Sequence, residues 1–332
     1  MNHQWMLVLF ALLSVGCTYG ALARRLVRAP NLQQAPNQEY AKFARDFMTV
    51  SVPIGPLEGG LKASVVEPGN WNFEYSFVPK KTQKKFTADI HLSFEKPNTF
   101  MTEPKGTVFL LHGFGQQKEQ MLHWALSLAQ QGFRCILVDL RGHGASSGEW
   151  IGYGAFEVAD LKSLLDALSA RQLIAGRIGV MGVSLGASVA LQWAGADARI
   201  ATVVALEPFA DPRLAISTML HNFPPFRRQL WWASEGTISR AIDEAPKLAG
   251  FQWVDVDVPK SVKGIQGPIL LIHGADDVMV PSNHSQILRM NFKSGSRFVI
   301  VPGQDHITLA LCLSPISETV HEWMNQHLAE KP

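Results

Sequence analysis

Cysteine is scarce in this chain: 332 residues hold three, Cys17, Cys135 and Cys312. Cys135 and Cys312 lie inside apolar runs and read as reduced core residues, so they leave the compartment open. The sequence contains no Cys-x-x-Cys, no His-Glu-x-x-His and no glycine-rich phosphate loop ending in lysine, so no metal ion and no cofactor is implied. The run Gly142 to Gly148 comes nearest to a dinucleotide fingerprint, but its glycine spacing is off and it follows the wrong strand. An excess of one charge is also missing. Thirty Lys and Arg stand against 28 Asp and Glu, and the densest basic run, Lys80, Lys81, Lys84 and Lys85, is too small for a nucleic-acid footprint. It reads as a solvated hairpin turn. Nothing in the composition suggests disorder or a fibrous class, and at 47% hydrophobic the chain can bury one large core.

Only one apolar stretch stands apart, Met6 to Gly16, of signal-peptide length and short for a bilayer span. Residues 1–23 therefore read as a signal peptide or membrane anchor, and the protein as exported and membrane-associated. Two processing readings are open. Ala21-Leu22-Ala23 resembles a small-residue cleavage site, whereas Ser14 to Cys17 resembles a lipobox that would make the chain a lipoprotein lipidated at Cys17. Against both, no Lys or Arg precedes the run while Arg24, Arg25 and Arg28 follow it, which favours a cytoplasmic-side anchor. Residues 24–45, rich in Gln, Asn and Pro from Asn31 onward, read as a linker. The folded domain is assigned to 46–332.

In that domain, Phe73, Tyr75 and Phe77, then Phe86, Ala88, Ile90, Leu92 and Phe94, alternate with polar residues and predict a half-buried antiparallel hairpin. Beyond Lys105 the pattern changes to short runs apolar on both faces: TVFLL, RCILVD, RIGVM, ATVVAL, PILLI and RFVIV. Alternating with helical segments around 119–131 and 156–171, they predict a doubly wound, mostly parallel α/β sheet, preceded by N-terminal antiparallel strands. The alternation stops at about 211–264, which predicts a helical cap over the C-terminal ends of the strands.

One stretch ties fold to chemistry. In IGVMGVSLGASVA, residues 178–190, an apolar strand runs into Gly182-Val183-Ser184-Leu185-Gly186 and then into a small-residue helix. That is the strand, sharp turn and helix of a nucleophile elbow. A serine is a poor nucleophile unless a histidine takes its proton, and the histidine needs an acid to fix its tautomer. Both stand downstream at strand ends: Asp276 and Asp277 after PILLIHGA, and Asp305 and His306 after RFVIVPGQ.

From about Gly106 to His327 the chain resembles α/β-hydrolases of the esterase and lipase branch, close to monoacylglycerol lipase-like and prolyl-aminopeptidase-like members. Four motifs carry the resemblance in order: HGFG from His112, DLRGHGAS from Asp139, the elbow at Ser184, and HGADDVMVP from His273. The resemblance implies Ser184 as nucleophile, Asp277 as triad acid, His306 as base, and the backbone N–H groups of Phe114 and Leu185 as oxyanion hole. Gln304 and Asp305 stand before His306 where the family usually has glycine. Asp276, Glu207 and Asp211 remain alternatives for the acid, the last two because some members take it from the earlier strand. His112 and His273 are expected as loop anchors, and Asp139, Arg141 and His143 as ties beside the site's mouth. Phe223, Phe226, Trp231 and Trp232 either pack the cap or line an acyl pocket.

The expected function is that of a serine hydrolase cleaving a small-molecule carboxylic ester through an acyl-enzyme, with no nucleic acid involved and membrane attachment through the N-terminus. An unperturbed histidine base would give an acid limb near pH 6.5 or so. An aminopeptidase-like hydrolase of short peptides is the alternative, with Glu235, Asp243 and Glu244 as candidate amine-binding carboxylates. A non-catalytic binding protein on the same fold is a third reading.

Overall fold

The computed structural model describes residues 18–33, 43, 45–55, 57–81 and 86–329. The apolar run at 6–16, the lipobox ending at Cys17 and most of the lysine-rich turn lie outside the described residues. The chain opens with helix α1 (Tyr19–Val27), then strands β1 (Met48–Ile54) and β2 (Leu57–Val66), and a hairpin of β3 (Asn72–Lys81) and β4 (Phe86–Glu95). Alternation follows: β5 (Thr107–Leu111), α2 (Leu122–Gln130), β6 (Arg134–Asp139), α3 (Glu157–Ala170), β7 (Ile178–Val183), α4 (Leu185–Ala196) and β8 (Ile200–Leu206). An excursion through α5 (Pro212–Asn222), α6 (Pro224–Gln229) and α7 (Glu235–Ala249) leads to α8 (Val258–Gly264) and β9 (Ile269–Gly274). The chain closes through α9 (Asn283–Arg289), β10 (Arg297–Val301), α10 (His306–Leu311) and α11 (Ser317–Leu328).

Eight strands form one sheet in the order β1-β2-β6-β5-β7-β8-β9-β10, and the six strands read as apolar runs are its parallel part. Their period of two feeds two cores at once. Phe109, Leu111, Val180 and Val203 face a layer built with α3, α4 and α1, while Val108, Leu110, Met181 and Val204 face α2 and α11. A strand buried on both faces has no polar side to alternate with, which is why these runs are continuously apolar.

The antiparallel strands of the main sheet are β1 and β2, with β2 paired to β6. The expected hairpin forms, and β3 and β4 make a separate two-stranded sheet. Its apolar face, Phe73, Phe77, Ile90, Leu92 and Phe94, packs on the α2/α11 side, and the Tyr75 ring stacks on His123 at 4.5 Å.

The N-terminal helix packs on the body. Thr18 caps α1, and Leu22, Ala23, Leu26 and Val27 are buried against α7 and the loop before α3. The amides of Ala29 and Ile151 donate across to Glu149 and Val27, and the Tyr153 hydroxyl donates to the Leu26 carbonyl at 2.6 Å. The residues read as a cleavage site at Ala21 to Ala23 thus sit inside a packed helix, and the start of the assigned linker belongs to the body. Among the described residues no helix is long and apolar enough to cross a membrane. Burial of Leu22, Leu26 and Val27 contributes about 5 kcal/mol as an upper estimate. Deleting residues 1–30 should therefore lower the melting temperature by roughly 10 °C in scanning calorimetry; an unchanged melt would separate α1 from the folded body.

The excursion after β8 is helical, as expected. Its last helix, α8, lies along α4 with Val258 and Val262 buried, so it returns to the sheet's flank before β9 instead of capping the site. Strand order reverses around β5, whose neighbours are β6 on one side and β7 on the other. The loops leaving β5 and β7 therefore diverge at adjacent strand ends, which leaves a crevice there.

Candidate functional site

Ser184 stands at that crevice. Its φ is 52° and ψ −114°, a conformation rare outside glycine, held by its amide donating to Leu206 and its carbonyl accepting from Ser188. The flanking glycines allow the turn. A Cβ on Gly182 would lie 2.3 Å from the Gly186 carbonyl oxygen, and one on Gly186 would lie 2.3 Å from that of Leu111. Both obstacles are backbone in buried strands or a helix, which cannot move aside as a side chain could.

His306 is the first residue of α10, and Asp305 explains the missing glycine before it: its carboxylate accepts from the amides of Ile307 and Thr308 and so caps the helix. His306 Nε2 lies 2.9 Å from Ser184 Oγ, and Nδ1 lies 2.6 Å from Asp277 Oδ2. A carboxylate only accepts, so Nδ1 carries the proton and Nε2 is left to accept from the serine hydroxyl. Asp277 Oδ1 accepts from the amides of Met279 and Val280 at 2.9 and 2.8 Å. Burial opposes the charge of Asp277, but His306 and His273 outweigh it and hold the carboxyl well below the usual range. Burial likewise opposes charge on His306, yet Asp277 and Glu207 prevail and raise it from 6.5 to about 9.

The alternatives for the acid separate here. Asp276 is exposed, and Asp211 caps α5 away from the imidazole. Glu207, fully buried at the end of β8 with φ 53°, does reach the site: Oε2 is 3.5 Å from His306 Nδ1. Ligand atoms of Glu207, Asp277 and His306 lie within 4.8 Å of one another. In this geometry the His306 and Asp277 atoms are already spent on each other.

Phe114 and Leu185 flank the serine. Leu185 opens α4, so its N–H lies at the positive end of a helix. The loop of Phe114 lies against Ser184, a Cβ on Gly113 falling 3.6 Å from the serine Cβ, and the Gly113 amide donates to Gln116 Oε1 at 2.8 Å. His112 braces this loop: Nδ1 meets the Gly113 carbonyl and Nε2 accepts from the Leu140 amide. His273 bridges the Val280 carbonyl and Ser285 Oγ behind the acid. Asp139 takes the Lys118 and Ala145 amides, Arg141 holds Asp160 with two hydrogen bonds, and His143 meets the Arg141 carbonyl.

Of the cap aromatics, Phe223 and Phe226 are buried on each other, Trp232 is half-buried and Trp231 is 84% exposed. An aromatic cluster joins Phe114 of the HGFG motif to three residues that carry no motif. Phe114 stacks on Tyr153, which meets Phe209 and Trp253 edge-on.

A family model described as serine aminopeptidase, S33, matches residues 102–246. The chain is 26% identical over 260 residues to the uncharacterized protein YqkD of Bacillus subtilis, covering 69% of this chain and 82% of that one. It is 24% identical over 219 residues to the AB hydrolase superfamily protein YisY of the same organism, covering 56% and 80%. A solved esterase of Pyrococcus furiosus superposes with a TM-score of 0.56 at 22% identity, over 80% of this chain and all of that one. With the elbow on a mostly parallel eight-stranded sheet, these likenesses show the α/β-hydrolase fold and a resemblance to hydrolases of that superfamily.

Proposed function

We propose that the protein is a serine hydrolase that cleaves a small-molecule carboxylic ester through an acyl-enzyme. The observation that carries this reading is the continuous hydrogen-bonded chain from Ser184 Oγ through His306 to Asp277, at 2.9 and 2.6 Å. Ser184 Oγ attacks the ester carbonyl as its proton passes to His306 Nε2, and Asp277 holds the imidazolium that forms. The tetrahedral oxyanion takes hydrogen bonds from the N–H groups of Leu185 and Phe114, donors fixed before reaction. His306 then gives its proton to the departing alkoxide, leaving Ser184 acylated. Water, deprotonated by the same nitrogen, releases the acid.

Aminopeptidase action is the competing reading, since the matching family model carries that name. An amine-holding carboxylate would be needed, and the cap candidates already have partners: Asp243 pairs with Arg213, Glu244 pairs with Lys247, and Glu235 lies 2.9 Å from His221 Nε2. The ester reading is favoured on that ground. Comparing p-nitrophenyl esters with aminoacyl p-nitroanilides tests it, and faster turnover of the anilides would reverse the choice.

The pH profile follows from His306. A raised histidine pKa keeps the imidazole protonated, and so unable to accept from Ser184, up to higher pH; activity should rise with pH through a midpoint above 6.5 and up to about 9. This differs from the limb near 6.5 expected of an unperturbed base. A measured kcat/KM midpoint at or below 6.5 would mean that the acids do not act on His306.

A further inference from the structure

The triad leaves one buried acid without a task. Glu207 is wholly inaccessible, and among the described residues neither Oε1 nor Oε2 has a hydrogen-bond partner. A carboxyl group buried without a partner is costly and asks for an explanation. Its backbone adds a second oddity. At φ 53° the residue sits in the left-handed region, with its amide donating to Ile272, and this turn delivers the side chain to the imidazole. Oε2 stands 3.5 Å from His306 Nδ1, the same nitrogen that Asp277 occupies at 2.6 Å.

We infer that Glu207 is a second acid for His306, a positioning residue that shares the Nδ1 side of the imidazole with Asp277 and takes over that hydrogen bond when the Asp277 carboxylate is removed. The inference rests on the Ser184–His306 reading. Two carboxyls so close cannot both stay ionised, and their surroundings choose between them. Asp277 has two loop amides and His273 as donors, whereas among the described residues the only donor facing the Glu207 carboxyl besides His306 is the Gly274 amide, outside good hydrogen-bond geometry. Burial, opposed by His306 and reinforced by the charges of Asp277 and Asp305, pushes the Glu207 carboxyl well above the ordinary range. Glu207 is therefore the member of the pair that holds its charge less readily. Without Asp277 the repulsion disappears, Glu207 ionises, and an acceptor is again available to His306 Nδ1.

The test is a cycle of Asp277→Ala, Glu207→Gln and the double variant, assayed on p-nitrophenyl acetate alongside the unmodified protein. Glu207→Gln alone should cost about threefold to tenfold, and Asp277→Ala about a hundredfold. The double variant should lose about ten-thousandfold or more, well beyond the product of the singles. A purely structural role would not move the pH profile, so that is the second readout. Asp277→Ala should keep an acid limb above pH 6.5, because Glu207 still stabilises the imidazolium. The double variant, with His306 buried and bereft of both acids, should show its limb below 6.5.

Equal cost of Glu207→Gln in both backgrounds, with coincident limbs, would overturn the inference while leaving the serine mechanism standing. Unmodified protein that neither turns over the ester nor takes a fluorophosphonate at Ser184 would overturn the mechanism and this inference with it. Melting curves check that each variant folds. If Asp277→Ala does not, Asp277→Ser retains a hydroxyl acceptor for the Met279 and Val280 amides and repeats the cycle.

Discussion

Ser184→Ala should abolish ester turnover, lowering kcat/KM by at least about a thousandfold, with the melting temperature nearly unchanged. The substitution removes one oxygen from a partly accessible side chain, and the amide and carbonyl that hold the elbow are untouched. What disappears is the atom 2.9 Å from His306 Nε2, and no other hydroxyl takes that place among the described hydrogen bonds. His306→Ala should cost as much, and the double variant little more, because nucleophile and base act as one unit. Near-normal turnover by Ser184→Ala would mean that the chemistry runs elsewhere.

Asp277→Asn should also be severe, on the order of ten-thousandfold, and worse than Asp277→Ala. The reason lies in the loop amides. Met279 and Val280 both donate to Oδ1, so an asparagine would keep its carbonyl oxygen there and turn its NH2 toward His306. That NH2 faces Nδ1 across 2.6 Å as a donor and drives the imidazole proton to Nε2. A protonated Nε2 cannot accept from Ser184. Alanine imposes no tautomer and leaves the Glu207 carboxyl within reach. Steady-state kinetics on the two variants would settle the order, and an asparagine variant more active than the alanine one would refute the tautomer argument.

The parallel sheet was legible because its strands are buried on both faces, and runs such as TVFLL and RCILVD admit few other readings. Strands β1 and β2 were not: Pro53 interrupts the first, and Gly59 and Gly60 thin the apolar alternation of the second. Helix α1 was hidden for another reason. Its Leu22, Leu26 and Val27 continue the apolar stretch at 6–16, and hydrophobicity alone does not tell a packed helix from the tail of a leader. The serine, histidine and Asp277 stood out because each ends a strand in a short motif, and such ends converge on one edge of the sheet. Glu207 ends a strand too, but ALEPFA carries no sign of the left-handed turn that points its side chain at the imidazole. Tyr153 meets Phe114 and Trp253 only through tertiary packing between distant loops, which no local pattern encodes.

The most direct measurement is covalent labelling of the full chain by a fluorophosphonate, with the adduct mapped by mass spectrometry. An activated serine attacks phosphorus as it would an ester carbonyl, so modification should be confined to Ser184 and lost in His306→Ala. Folded protein that takes no label, or takes it at another serine, would contradict Ser184 as the nucleophile.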